Sequence, residues 1–371
     1  MNPEAVDEFY MLECLALARR GAGSVSPNPM VGCVIVKKGT VIGRGYHRRF
    51  GGPHAEVNAI RSAGASVRGA TLYVNLEPCS HHGKTPPCTD LIIRSKVARV
   101  VIGTIDQNPL VSGEGIRRLR RAGVSVTVGL LEDESVRLNE FFFKYIRTRM
   151  PFVTLKVAQT LDGKITGPNG SPRWITGPRS RSYVHTLRSH YDAVMVGAGT
   201  VLADNPRLTV RNGRGRDPIR IVLDGKFRLK PEAAVFRNAR GGMAVLLVER
   251  NSLVRHSSKA DLFRRKGVRV IGIPGRRNGR VPLGRVLRLL GSQGISSLLV
   301  EGGASLFSGF VSESKADKLL LFIAPSIFGT GLDAFRGLAP RSRRRPARIR
   351  TVSLIQMGED TLLQGYLVKA R

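Results

Sequence analysis

Apolar positions in the first part of the chain recur with two periods, and their alternation maps out the elements. Val6, Tyr10, Cys14 and Leu17 fall at helical spacing and predict an opening helix. Val31–Val36 and Val41–Tyr46 flank a turn at Lys37, Lys38 and Gly39, which predicts a hairpin. His54 to Ala63 reads as a helix stopped by Gly64. Then follow a strand over Thr71–Leu76, a helix over Thr89–Lys96, a strand over Ala98–Gly103, a helix over Gly115–Ala122 and a strand over Val124–Val128. One long amphipathic helix is predicted from Leu131 to about Arg147. Such alternation argues for an α/β fold, a sheet covered by helices.

Met150 and Pro151 mark a break, and a second series begins beyond them. Strands are predicted over Phe152–Ala158, Ala193–Val196, Ile219–Leu223, Ala244–Val248, Val268–Ile273, Ser297–Val300 and Leu319–Ile323. Thr361–Val368 reads as a final antiparallel strand, and Pro and Arg content marks 337–350 as a mobile loop. No internal repeat is present. A chain of 371 residues accommodates two domains, here 1–148 and 149–371.

Composition changes this picture little. Hydrophobic residues make up 42%, as in a folded globular protein. No apolar run approaches the ~18 residues of a membrane span. The N-terminus lacks the charged-then-apolar pattern of a signal sequence, so the cytoplasm is the expected compartment. The net charge of +33 raises nucleic-acid binding as a question. Yet the charge is spread along the chain. Its densest clusters, Arg117–Arg121, Arg264–Lys266 and Arg341–Arg350, carry no aromatics at a base-stacking spacing. The plainer reading is a solvated basic surface, whose field would also steer phosphorylated small molecules.

Four cysteines in a chain of this length do not make a disulfide framework. Cys14 and Cys33 lie on apolar stretches and read as core. Cys79 and Cys88 sit among turn formers. With His54 they offer one imidazole and two thiolates, leaving a fourth zinc position open as catalytic zinc requires. The two first ligands are expected at helix starts, where the positive helix end would favour the Cys79 thiolate. Glu56, two residues beyond His54, is placed to take a proton from water and pass it to leaving ammonia. His-x-Glu followed by Pro-Cys is the zinc-deaminase order. His81 and His82 are expected to shape the loop without binding metal.

Eight residues separate Cys79 from Cys88, unlike the Pro-Cys-x-x-Cys of cytidine and tRNA-adenosine deaminases. The string EPCSHHGKTPPC (77–88), with HAEV at 54–57 and SPNPMVGCVIV at 26–36, resembles the bifunctional riboflavin-biosynthesis deaminase–reductases of bacteria. The resemblance runs over essentially the whole chain. It implies a cytidine-deaminase-like three-layer domain followed by a domain similar to dihydrofolate reductase. It also implies zinc, NADPH and phosphorylated pyrimidine substrates, with Asn28, His47, Lys84 and Asn108 around the deaminase substrate. Asp106, Gln107, Asn108 and Pro109 stand where the family usually reads Asp-Pro-Asn-Pro, which leaves Asn108 in place.

The second domain has no Gly-x-Gly-x-x-Gly, which argues against a Rossmann site. Glu301, Gly302 and Gly303 instead form a strand-to-helix turn that suits a phosphate, and equally a plain βα turn. Thr154–Ala158, Leu161–Gly163, Trp174–Thr176, Val196–Pro206 and Leu208–Arg211 resemble the same family's reductase. That likeness implies NADPH against Ala158, Trp174, Thr200, Asp204, Gly225, Gly303, Ala304, Ser305 and Leu306. It implies the phosphorylated substrate against Pro172, Arg188, Leu208, Arg211 and Glu301. Pro172 and Gly225 stand where the family often has Ser, so a contact there must be apolar or through the main chain. A tRNA or other nucleic-acid deaminase, suggested by charge alone, is opposed by the long Cys79–Cys88 loop and the complete second domain. A scaffold of decayed enzyme domains is opposed by the intact His54, Cys79, Cys88 and Glu56 set. A chain with only one active half, and the oligomeric state, are left open.

Overall fold

The computed structural model describes residues 2–368 except 65, 82–85, 110, 169, 171–173, 212–214, 277–279 and 339–345. It divides into two compact units, Met1–Arg149 and Met150–Arg371.

The first unit contains α1 (Pro3–Arg19), β1 (Gly32–Lys37), β2 (Thr40–Tyr46), α2 (Ala55–Ser62), β3 (Thr71–Leu76) and α3 (Cys88–Arg94). It continues with β4 (Arg99–Thr104), α4 (Glu114–Arg121), β5 (Ser125–Val128), α5 (Glu132–Leu138) and α6 (Glu140–Thr148). Its sheet runs β2-β1-β3-β4-β5, with β1 antiparallel to both neighbours and the rest parallel. The strand period of two makes three layers. Cys33, Ile35, Leu72, Val74, Val100 and Ile102 face Ala55, Ala59, Ile92, Ile116 and Leu119 of α2, α3 and α4. Val34, Val36, Tyr73 and Val101 face Tyr10, Met11 and Cys14 of α1. Gly45 lets α2 lie flat on β2, because a Cβ there would stand 2.3 Å from the Ala59 nitrogen.

The predicted long helix over 131–147 is two helices, broken at Asn139 (φ −105°, ψ 19°). Asn139 is buried, and its amide accepts from the Met30 N–H at 2.8 Å and donates to the Met30 carbonyl at 3.0 Å. A side chain bonded to a distant backbone competes with helix continuation. Amphipathic periodicity carries no trace of that.

The second unit comprises β6 (Phe152–Thr160), β7 (Lys164–Thr166), α7 (Pro178–His190), β8 (Ala193–Gly197), α8 (Ala198–Asp204) and β9 (Ile219–Leu223). Next come β10 (Ala244–Glu249), α9 (Arg250–Arg255), α10 (Ser257–Arg265), β11 (Arg269–Ile273), α11 (Leu283–Ser292), β12 (Ser297–Gly302) and α12 (Ala304–Ser312). The chain ends in β13 (Lys318–Ala324), β14 (Leu332–Asp333), β15 (Arg348–Met357) and β16 (Asp360–Val368). Nine strands form one sheet, β11-β10-β9-β8-β12-β6-β13-β16-β15, parallel from β11 to β13 and antiparallel beyond. Val153, Leu155, Met195, Ile221, Val245 and Leu247 pack against α11 and α12, and the alternate Val194, Val196, Val222 and Leu246 are buried as well. Both faces are covered, which is why these strands read as continuous apolar runs. The sequence reading missed β15. Its first residues, Arg348 to Arg350, fell inside the expected loop, of which 339–345 lie outside the described residues. Basic residues on an edge strand look like loop, and pairing with β16 supplies the order that composition does not.

Candidate functional site

In the first unit the metal candidates converge from three elements. His54 is the N-cap residue of α2, Cys79 lies beyond the end of β3, and Cys88 is the first residue of α3. Their donor atoms all lie within 4.8 Å of one another. His54 Nδ1 stands 3.5 Å from Cys79 Sγ and 3.3 Å from Cys88 Sγ. One feature differs from expectation: Cys88, not Cys79, heads a helix. The helix still serves Cys79, since the Cys88 backbone N–H donates to Cys79 Sγ at 3.3 Å. Hydrogen bonds from the Cys88 side chain, from His54 and from that N–H hold the Cys79 thiol well below the usual range. The hydrogen bond to Cys79 and burial push the Cys88 thiol up in turn, so one thiolate, a second thiol and an imidazole stand together, a donor set that fits zinc. Cys14 and Cys33 are buried with thiols pushed upward chiefly by burial, and the Cys14 thiol donates to the Tyr73 carbonyl at 3.3 Å.

Glu56 is buried beside this cluster, and burial raises its carboxyl above the usual carboxylate range. His47 lies across from His54 with ring centroids 5.5 Å apart. Its Nδ1 donates to the Pro53 carbonyl at 3.0 Å, so Nε2 accepts from Asn28 Nδ2 at 3.3 Å. Burial lowers its pKa and keeps the ring neutral. Asn108 is held on its loop, its N–H donating to Asp106 Oδ1 at 2.8 Å and its carbonyl accepting from Val111. Lys84 lies outside the described residues.

The sequence reading passed over Glu77. This buried carboxylate accepts N–H bonds from Asp106 (3.1 Å), Gly113 (2.9 Å) and Ile116 (3.2 Å). It therefore ties the start of the Cys79 loop to the Asn108 loop and the head of α4. Its place directly before Pro78 and Cys79 was the available signal.

In the second unit a cleft of about 1660 Å³ opens along the carboxyl ends of β9, β8, β12 and β6, which stand side by side. Ligand clefts of open parallel sheets lie there. Every expected cofactor contact lines it: Ala158, Trp174, Thr200, Asp204, Gly225 and Gly303–Leu306. So do Arg188, Leu208, Arg211 and Glu301, whereas Pro172 lies outside the described residues. Gly303, with φ +94°, starts α12 in a conformation open to glycine.

Arg188 does not present an open fork to the cleft. Its Nε and Nη2 donate to Glu301 at 2.5 and 2.8 Å, and Nη1 donates to the Thr209 carbonyl at 3.1 Å. Burial alone would raise the Glu301 carboxyl, but the Arg188 charge and hydrogen bonds outweigh it and hold it low. Lys156 also lines this region and went unnoticed in the sequence. Burial lowers its pKa against the pull of Glu301. A lysine flanked by Leu155 and Val157 in a strand was the clue.

Fold and sites define the class: a zinc-deaminase-type domain followed by a reductase-type α/β domain. Residues 4–104 match the cytidine and deoxycytidylate deaminase zinc-binding region, and residues 151–363 match the RibD C-terminal domain. The chain is 43% identical over 359 residues to the riboflavin biosynthesis protein RibD of Aquifex aeolicus, covering 96% of this chain and 98% of that one. Its likeness to the Escherichia coli RibD is 40% over 348 residues, covering 90% and 92%. Among solved structures, a Thermotoga maritima diaminohydroxyphosphoribosylaminopyrimidine deaminase/5-amino-6-(5-phosphoribosylamino)uracil reductase matches with TM-score 0.84 at 41% identity, covering 98% and 99%. Acinetobacter baumannii RibD matches with TM-score 0.86 at 36% identity, covering 99% and 100%. The chain belongs to the RibD family of bifunctional deaminase–reductases of riboflavin biosynthesis. The nucleic-acid deaminase alternative is not favoured. Among the described residues, no helix is long and apolar enough to cross a membrane.

Proposed function

We propose that the first unit hydrolyses the ring amine of 2,5-diamino-6-(5-phosphoribosylamino)pyrimidin-4-one. The second then reduces the ribosyl group of the resulting 5-amino-6-(5-phosphoribosylamino)uracil to its ribityl form with NADPH. The observation that carries the reading is the convergence of His54, Cys79 and Cys88 beside buried Glu56. One zinc ion per chain is held by those three donors, and when bound it supplies Lewis acidity that activates water near neutral pH. Glu56 takes the proton from the attacking water and returns it to the departing amine. Asn28, His47 and Asn108 orient the pyrimidine, and Lys84 meets its phosphate.

In the second unit Ala158, Trp174, Thr200, Asp204, Gly225 and Gly303–Leu306 hold NADPH, which supplies the hydride. Pro172, Arg188, Leu208, Arg211 and Glu301 form the substrate end. Arg188 is bonded to Glu301 and holds that carboxylate in place, and the substrate phosphate is assigned to Arg211. Each activity belongs to its own folding unit, divided near Met150. Charged phosphate esters do not cross a bilayer unaided, which supports an enzyme that works where its substrates are made, in the cytoplasm.

The test is to incubate the zinc-loaded full-length protein with the phosphoribosylaminopyrimidine. Without NADPH only the deaminated uracil should accumulate, and with NADPH the ribityl product should replace it. A zinc-loaded protein that releases no ammonia would overturn the reading.

A further inference from the structure

The placement of NADPH leaves open which residues distinguish it from NADH. The difference is one phosphate on the adenosine ribose, a compact dianion that needs cations at the adenosine end of the cleft. The expected contacts run from Ala158 on β6, past the head of α12, to Thr200 after β8 and Gly225 after β9. In the sheet these strands follow one another outward, β6-β12-β8-β9. The proposed substrate residues Glu301 and Arg188 gather at β12, so the hydride-donating end of the cofactor belongs there and the adenosine end at the far side, by the turn after β9.

That turn reads Asp224, Gly225, Lys226, Phe227, Arg228, Leu229. Phe227 and Leu229 are buried, Lys226 and Arg228 are exposed, and both cations line the cleft. The backbone is held in an unusual shape. Phe227 has φ +53°, a region that a bulky residue adopts only when its surroundings enforce it. Its ring packs 5.6 Å from that of Phe263 and 6.2 Å from that of His256. Its carbonyl accepts from Lys259 Nζ at 2.6 Å. Asp224 closes the turn, Oδ2 accepting from the Leu229 N–H at 2.8 Å.

The charges on the turn are poorly matched within the described residues. Lys226 makes no ion pair there, and Arg228 has only a loose one, Nε 3.9 Å from Asp224 Oδ1. That buried oxygen accepts no hydrogen bond among them. A rigid turn thus carries two incompletely matched cations, one residue and three residues beyond a proposed cofactor contact. Arg276 lines the same cleft and stands 3.6 Å from Glu313, but it follows β11, two strands away from β9.

We propose that Lys226 and Arg228 bind the phosphate on the adenosine ribose of NADPH and so set the preference for NADPH over NADH. This rests on the cofactor placement given above. Arginine and lysine play different parts: Arg228 offers paired N–H donors, and Lys226 a point charge.

The test is steady-state reduction of the deaminated substrate by full-length Lys226→Ala/Arg228→Ala, with either cofactor. KM for NADPH should rise about 10- to 100-fold, the range of one to two charge-assisted contacts, while KM for NADH stays within about twofold. Arg228→Lys should fall between. In direct binding followed by the fluorescence of bound NADPH, without substrate, 2′,5′-ADP should displace NADPH from the wild type far better than 5′-ADP, and less so as salt rises, and the double variant should lose that difference. Unchanged discrimination in the double variant overturns the assignment of these residues alone. So does a discrimination lost in Arg276→Ala but kept in the double variant. A wild-type protein that reduces substrate with neither cofactor overturns the cofactor placement as well, and the two failures are thereby told apart.

Discussion

The two units hold their chemistry in opposite ways. In the first, three donors from short stretches around positions 54, 79 and 88 lie within 4.8 Å of one another, with the Glu56 carboxylate buried beside them. In the second, the working surface is a broad cleft whose walls come from strand ends spread between Lys156 and Arg336. The first site owes its properties to donor chemistry, the second to shape and to one buried ion pair. A substitution in the compact cluster should therefore remove a reaction, whereas one in the cleft should shift binding or stability by degrees.

The sharpest test of that contrast is Glu56→Gln. A carboxamide cannot shuttle a proton, so deamination should fall by ~10²–10⁴-fold or more. Zinc content by elemental analysis should stay, and the reductase, assayed on deaminated substrate, should stay within about twofold. Loss of less than tenfold would remove Glu56 from proton transfer and blur the contrast. Within the same cluster, Cys88→Ser should lose most of its zinc, whereas Cys14→Ser and Cys33→Ser should retain it.

Arg188→Ala should act through stability. Removing one partner of a buried pair costs about 3–5 kcal/mol, which hydrogen exchange at the β12 amides would read as reduced protection. The pair also sets a pH dependence. The Glu301 carboxyl is held low in the fold, so its contribution is present above the ordinary carboxylate range near 4.5 and is lost as pH falls through the lowered value. In Arg188→Ala the buried carboxyl has lost its main partner, so that acid-side loss should vanish. An acid melt with the same low-pH limb in both proteins would count against the pair.

Arg211→Ala is expected to be milder: KM for the phosphorylated substrate up about tenfold, with NADPH affinity nearly unmoved. Loss of NADPH affinity with substrate affinity kept would reverse the placement of the two ligands. The smallest effect concerns independence of the units. Residues 1–149 and 150–371 produced separately should each keep their activity within a few-fold. A folded, zinc-loaded first unit that does not deaminate would show that its site needs the second.

Much of the compact site was legible because its signals are local. His54 and Glu56 sit two apart at a helix start, and Cys79 follows a strand end. Cys79 and Cys88 stand 25 and 34 positions from His54, so the sheet brings them together, and the order of residue types made the set legible. The reductase residues were reached through family resemblance, since no spacing along the chain says that Arg188 will meet Glu301, 113 positions away. Glu77 and Asn139 stayed hidden for a related reason: a buried polar side chain serving a distant backbone looks like any polar residue in a list.

By itself, then, the sequence determined the two α/β series, the break near Met150 and the candidate metal donors, since hydrophobic period and the His-x-Glu and Pro-Cys motifs are each local. Tertiary structure alone decided the strand order that sets β9, β8, β12 and β6 side by side and the interruption at Asn139. It also decided the pairing of β15 with β16 and the closing of the Arg188 fork on Glu301. Each depends on which distant segments a folded sheet brings together, and that is settled by packing both faces of the sheet at once.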